Sequence, residues 1–111
     1  MTVRSIALIP AKQAENVQTT QYTSNDCTTY VDKFTITNNT SANVVFSANI
    51  VTVAGSAGVT NLIIAQRSIA PRETYPCPEL IGQVLQPGDF ISTLAGAAVS
   101  LTMRASGRQI T

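Results

Sequence analysis

The chain has 111 residues, only 12% of them charged, and a formal net charge of +1. A soluble domain typically carries about a quarter Asp, Glu, Lys and Arg, so this chain has little charge with which to draw nucleic acid, anionic lipid or an acidic substrate. It contains no histidine, which removes the commonest general base and metal ligand and excludes any Ser-His-Asp or Cys-His arrangement.

The length is that of one domain, 1–111. At the N-terminus, Met1 to Ala11 contains an apolar run too short for a leader, closed by Pro10 and Lys12. It reads as an N-terminal arm, 1–10, of a protein made in a cytoplasm. From Tyr30 to Thr37 the period is two, the period of a strand with one buried face. Tyr30, Phe34 and Ile36 fall on one face and Lys33, Thr35 and Thr37 on the other, with Asp32 breaking the pattern. Asn38-Asn39-Thr40-Ser41 reads as a hairpin connection, because Asn tolerates the left-handed conformation. In the next strand Val44, Phe46, Ala48 and Ile50 point inward. The loop Ala54-Gly55-Ser56-Ala57-Gly58 precedes a strand from Asn61 to Ile69, with Leu62 and Ile64 inward.

Ala70 to Pro78 is too proline-rich for a central strand and runs over an edge or around a corner. Leu80 and Val84, and Ile81 and Leu85, are spaced i,i+4 behind Pro78, which predicts a short helical turn near 78–85. Gln86-Pro87-Gly88-Asp89 predicts a type II turn. Phe90 and Leu94 join the inward set. Gly96-Ala97 allows another turn, and a last strand follows with Val99, Leu101, Met103 and Ala105 inward. The whole predicts an all-β, single-domain β-sandwich or jelly roll of about 7–8 strands.

The chemistry is sparse. Glu15, Asp26, Asp32, Glu73, Glu79 and Asp89 form no calcium-loop spacing. Cys27 and Cys77 fit no metal-ligand spacing, and either two separate thiols or one disulfide closing a long loop is compatible with them. No catalytic residue, cofactor or metal site is expected. The basic residues Arg4, Lys12, Lys33, Arg67, Arg72, Arg104 and Arg108 are scattered rather than clustered, unlike a nucleic-acid surface. No apolar stretch approaches the roughly 20 residues that span a bilayer. Sugar sites usually want aromatic platforms, and here only Tyr22, Tyr30 and Tyr75 offer one. Sparse charge and Thr/Ser faces suit a surface covered by partners, since few charges would be desolvated there. The terminal strands, with no further chain to cover them, are expected to present an edge. The expected partner contacts are Val3, Arg4, Ile6, Leu8, Arg104 and Arg108, the two C-terminal arginines pairing with acidic groups of a partner or second copy.

Three segments carry a resemblance: Ser68 to Tyr75 with its Ala70-Pro71-Arg72-Glu73-Thr74-Tyr75, Pro78 to Ile91 with its Pro87-Gly88-Asp89, and Ser106 to Thr111. Their rhythm resembles small β-sandwich virion proteins of tailed bacteriophages, with a last strand ending in a Ser-Gly turn. The length is also similar to that of the capsid staple, or cement, proteins of short-tailed phages of the epsilon-fifteen type. Upstream of Ser68 the resemblance is one of architecture. It implies a structural virion protein on the outer capsid surface, made in the bacterial host cytoplasm. Such a capsid decoration protein binds the major capsid protein and bridges its subunits, as a homodimer at two-fold positions. It implies no enzyme activity, no cofactor, and no nucleic-acid, membrane or small-molecule partner. A head–tail connector or tail structural protein is the alternative, and a sugar-binding β-sandwich module is a third.

Overall fold

In the computed structural model, which describes residues 1–111, the alternating segments form nine strands. They are β1 (Val3–Gln13), β2 (Thr19–Thr23), β3 (Thr28–Asn38), β4 (Val44–Val51), β5 (Leu62–Ile69), β6 (Thr74–Tyr75), β7 (Val84–Leu85), β8 (Phe90–Ala95) and β9 (Leu101–Ile110). One sheet has the order β1-β9-β3-β6, with β7 also paired to β3; the other has the order β2-β8-β4-β5. All pairings are antiparallel. With β6 and β7 taken as one interrupted strand, this is the eight-stranded order of a jelly roll. The fold class is therefore the expected one.

The inner faces meet in one apolar core. Phe34 on β3 and Phe46 on β4 meet across the sheets with ring centroids 6.4 Å apart. Val31, Ile36, Ile64, Ile69, Ile91, Leu101 and Met103 are buried around them. One end of the core is polar. Gln109 Nε2 donates to Tyr22 Oη at 2.8 Å, Tyr22 meets Thr29 at 2.7 Å, Thr29 meets Ser24 at 2.7 Å, and Ser24 donates to the Cys27 carbonyl. Each hydroxyl can donate once and accept once along this chain, so burial leaves none unpaired. The network ties β2 in one sheet to β3 and β9 in the other. Cys27 and Cys77 are both buried and free, and burial pushes the Cys77 thiol up to about 12.

The Asp32 irregularity is a β-bulge. Val31 lies opposite Gly107 and Lys33 opposite Ser106, so Asp32 is the extra residue. The phase of β3 changes there. Val31 and Thr29 point inward, and Tyr30 turns to the outer face, contrary to the alternation expected of it. Gly107 makes this approach sterically available: a Cβ there would overlap the carbonyl oxygen of Tyr30 and press on Leu8. Ser106-Gly107 is accordingly the middle of β9, not a turn at its end.

Several other local expectations change. Asn38 to Ser41 does not close a hairpin, because β3 and β4 lie in different sheets. The Asn38 carboxamide builds a corner instead, donating to the Ala42 and Ile69 carbonyls and accepting from Thr40. In place of that helical turn, residues 77–83 form two successive reverse turns ahead of β7, with Leu80 N–H on the Cys77 carbonyl and Gln83 N–H on that of Leu80. Left-handed backbone at Cys77 and Gly82 prevents a helix there. The segment still plugs the sandwich, through buried Leu80 and Leu85 rather than through i,i+4 pairs. The one 3-10 turn lies at Val59–Asn61. The Pro87-Gly88 turn forms as expected, with Gly88 at φ +92 and Asp89 N–H on the Gln86 carbonyl. In β8 the phase is opposite to that expected: Ile91 and Ala95 enter the core, while Phe90 and Leu94 are only half-buried. Leu62 is also half-buried, and Val99, at φ +51, is exposed outside β9. Residues 1–10, expected as an arm, run mostly as strand β1 against β9.

One side of the sandwich is closed by Arg67, whose guanidinium stands 4.3 Å from the centre of the Tyr75 ring. Tyr75 donates its hydroxyl to both Glu79 carboxylate oxygens at 2.7 Å. Burial and the adjacent carboxylate push the Tyr75 phenol from 10.0 up to about 12. The folded state therefore holds this proton more tightly than the unfolded chain, and stability falls as pH rises from 10.0 toward about 12. Urea unfolding across that window should show the fall; the buried Cys77 thiol, raised from 9.0 to about 12, adds to it, so Tyr75→Phe should make the fall shallower without abolishing it. Phe46→Ala or Leu101→Ala should cost about 2–5 kcal/mol. Gly107→Ala should cost more than about 1 kcal/mol despite the usual entropic gain of a Gly→Ala change; equal unfolding midpoints for Gly107→Ala and wild type would contradict the close approach.

Candidate contact surface

An antiparallel ladder alternates between pairs that exchange both backbone hydrogen bonds and pairs that exchange none. Thr2 and Thr111 exchange both, at 3.0 Å each. The register continues as Val3↔Ile110, Arg4↔Gln109, Ser5↔Arg108 and Ile6↔Gly107. Arg4 and Ile6 therefore spend their backbone groups on β9. Val3 and Ser5 aim theirs the other way, and β1 has no strand on that side. A row of unpaired N–H and C=O groups is a template for another strand. It is short, because β1 carries register shifts between Ile6 and Ile9 and between Ile9 and Lys12, with Pro10 among them. Those features blunt the rest of the edge and leave the Val3–Ile6 stretch regular.

The expected contact residues divide. Val3 is 52% exposed and Arg4 is exposed, while Ile6 is half-buried against the core. Leu8 is buried and packs toward Gly107, so it is not available to a partner. Arg104 and Arg108 are both exposed on the outer face of β9. Arg108 already has a carboxylate: its Nε lies 3.0 Å from Asp32 Oδ2 and its Nη2 3.1 Å from Oδ1. Its guanidinium also stands 5.2 Å from the centre of the Tyr30 ring. The hydrogen bonds it donates to Asp32 raise the Arg108 pKa further above its ordinary range. Arg108 thus already holds a carboxylate within the chain, because the bulge swings Asp32 onto it, and an acid on a partner would have to share or displace that exposed pair. Arg104 lies opposite Thr35 and has no ion pair. Lys33 is exposed on the same face and is also unpaired.

The rest of this outer face is neutral. Thr37 meets Thr74 at 3.0 Å, and Gln13 Nε2 donates to Thr102 Oγ1 at 2.7 Å. The face thus offers two free cations among threonines and an open backbone edge beside them. No three of the Cys, Asp and Glu side chains converge to hold a metal ion, and no helix is long and apolar enough to cross a membrane. Sequence reasoning missed Ser5, whose backbone faces the open edge, and Asp32 as the partner of Arg108. Asp32 left a signal, the break in alternation. Ser5 left none, because hydrogen-bond parity depends on register.

No protein-family model matches the chain, and no curated protein matches it in sequence. Among solved structures, it superposes on a chain in a structure of infectious bursal disease virus, Gx strain, with a TM-score of 0.55 and 13% identity. The match covers 98% of this chain and 33% of the viral one. A structure of the Gt strain of that virus gives a TM-score of 0.44 at 12% identity, over 97% of this chain and 32% of the viral one. A crystal structure of the VP2 subviral particle of infectious bursal disease virus gives 0.36 at 13% identity, over 99% and 41%. This chain thus spans about a third of the length of the first two viral chains. At these identities the likeness is one of fold.

The hydrogen-bond parity of β1 is directly testable. Ser5→Pro deletes an N–H that β9 does not use and should leave the melting temperature within about 3 °C of wild type. Arg4→Pro deletes one that β9 does use and should lower it by clearly more. Equal losses would mean the register is wrong.

Proposed function

We propose that this chain is a structural protein of a virus particle, and more specifically a decoration protein that staples the outer capsid shell of a tailed phage. The observation that carries the proposal is the jelly-roll strand order, together with its superposition over 98% of the chain on part of a chain from a virus particle. The sparse charge supports it, because a Thr-lined surface is covered at small desolvation cost. So does the regular open stretch of β1. In this proposal the chain acts as one domain and as a homodimer, on the outside of the shell. The β1 edge takes up a strand of the major capsid protein, and Arg104 and Lys33 meet carboxylates beside it. Binding only the assembled shell stabilises the shell by mass action, without any catalytic step.

The test is rebinding of purified protein to shells stripped of it. Wild type should restore their resistance to heat, at hundreds of copies per particle rather than the dozen or fewer of a ring-shaped connector. Ser5→Pro should bind far more weakly while remaining folded, and Arg104→Glu with Lys33→Glu should bind more weakly still at low salt than at high salt. If stripped shells are as heat-stable as complete ones, and these variants rebind like wild type, both the role and the surface are wrong.

A further inference from the structure

A cavity of about 370 Å³ opens on the face of β4, β5 and β8 that is turned away from the core, remote in the fold from the β1 edge. The volume falls in the range of small-molecule sites. Carboxamides build its wall. Asn49, 2% exposed, donates from Nδ2 to the Gly58 carbonyl at 3.0 Å and to Asn61 Oδ1 at 2.7 Å. Asn61 in turn donates to the Ser56 carbonyl and accepts from Gly58 N–H. The loop before β5 is thereby pinned over the sheet, and the cavity is preformed.

Hydrogen-bonding capacity is left over inside it. Ser47, 8% exposed, accepts the Gln66 backbone N–H at 2.9 Å, and its own O–H donates to nothing. Gln18 spends Nε2 on Ser92 Oγ at 2.8 Å and, at 3.4 Å, on Asn49, while its Oε1 accepts nothing. The Gln66 side chain is exposed at the mouth of the cavity and bonds no other group of the protein. Leu62 and Leu94 supply an aliphatic floor between these groups. No charged side chain lines the cavity. Arg67, next to Gln66, is committed to the Tyr75 ring.

This inventory selects a ligand class. An ion would lose hydration without meeting a counter-charge. A wholly apolar ligand would strand the Ser47 hydroxyl and the carboxamides. A neutral ring carrying adjacent hydroxyls on an aliphatic body satisfies both sets of groups, since hydroxyls and carboxamides each donate and accept. We propose that this cavity binds a neutral pyranose unit of a glycan, with Ser47, Gln18 and Gln66 meeting its hydroxyls and Leu62 and Leu94 its C–H face. The site is independent of the shell-binding role.

The experiment is amide NMR of the full chain, titrated to millimolar levels with methyl glycosides of glucose, galactose and mannose and with N-acetylglucosamine. N-acetylneuraminic acid and cyclohexanol serve as charged and apolar controls. At least one neutral sugar should shift the Ser47, Gly58 and Gln66 amides, and the controls should not. Ala65→Trp, at an exposed lining position, should abolish the shifts by filling the cavity. Gln66 sits at φ +49, so Gln66→Asn keeps a residue that tolerates the left-handed backbone but withdraws the amide, and should weaken binding at least about fivefold. Four silent neutral sugars, equal binding of either control, or shifts that survive Gln66→Asn unweakened would each overturn the proposal. Failed shell rebinding would not bear on it.

Discussion

The missing side chain at Gly107 is the constraint on which much of the five-stranded sheet depends. With no Cβ between them, β9 and the Tyr30 carbonyl approach closely enough for β3 to carry an extra residue. The bulge then does three things at once. It brings Val31 into the core beneath β9. It directs the Val31 carbonyl and N–H to Gly82 and Gln83, which anchors the turns that cover that flank of β3. It also places Asp32 within reach of Arg108, so the basic end of β9 is neutralised inside the chain. A β-bulge increases local twist, and here it also sets which side chains reach solvent.

The low charge content reads differently once the sheets are in place. Few charges are needed because hydroxyls and carboxamides handle most of the polar burial. Ser24, Thr29, Tyr22 and Gln109 satisfy one another at one end of the core. Asn38 holds a corner between the sheets, and Asn49 holds the loop before β5. Asp89 caps the Gln86 and Val53 N–H groups with its two oxygens. Such bonds contribute modestly when made but are costly to break once buried. The hydroxyl and carboxamide bonds fix geometry without requiring the neutralisation that buried ions demand; the one buried carboxylate, Asp89, is met instead by those two backbone N–H groups.

Fold class was legible because period-two patterning survives in β3, β4 and β9, where one face packs on the core. Phe34, Ile36, Val44, Phe46, Ala48, Leu101 and Met103 were placed correctly by alternation alone. Alternation failed where a long-range event resets the phase, as the bulge does for Tyr30. It failed in β8 for another reason. That strand places the polar Thr93 inward with Ile91 and Ala95 and the apolar Phe90 and Leu94 on the other face, where Ser92 is buried too, so apolar content no longer marks the inner face. The helical turn near 78–85 was misplaced because i,i+4 spacing of apolar residues also arises when turns fold back twice. Of the contact surface, composition and terminal position pointed to β1 and β9. Which backbone groups stay open, and that Arg108 is already paired, depend on register, which no local signal records.

The pairing of β1 with β9 also has a bearing on how the chain reaches its fold. β1, the first of the nine strands, finds its only sheet neighbour in β9, the last of them. Until β9 exists, β1 is unpaired along both sides, and its apolar Ile6, Leu8 and Ile9 have no floor. Topologies dominated by such distant pairings fold slowly and pass through states with exposed strand edges. Closure of this sheet therefore comes late in folding. The interval before it is when the chain most needs shielding from other copies of itself.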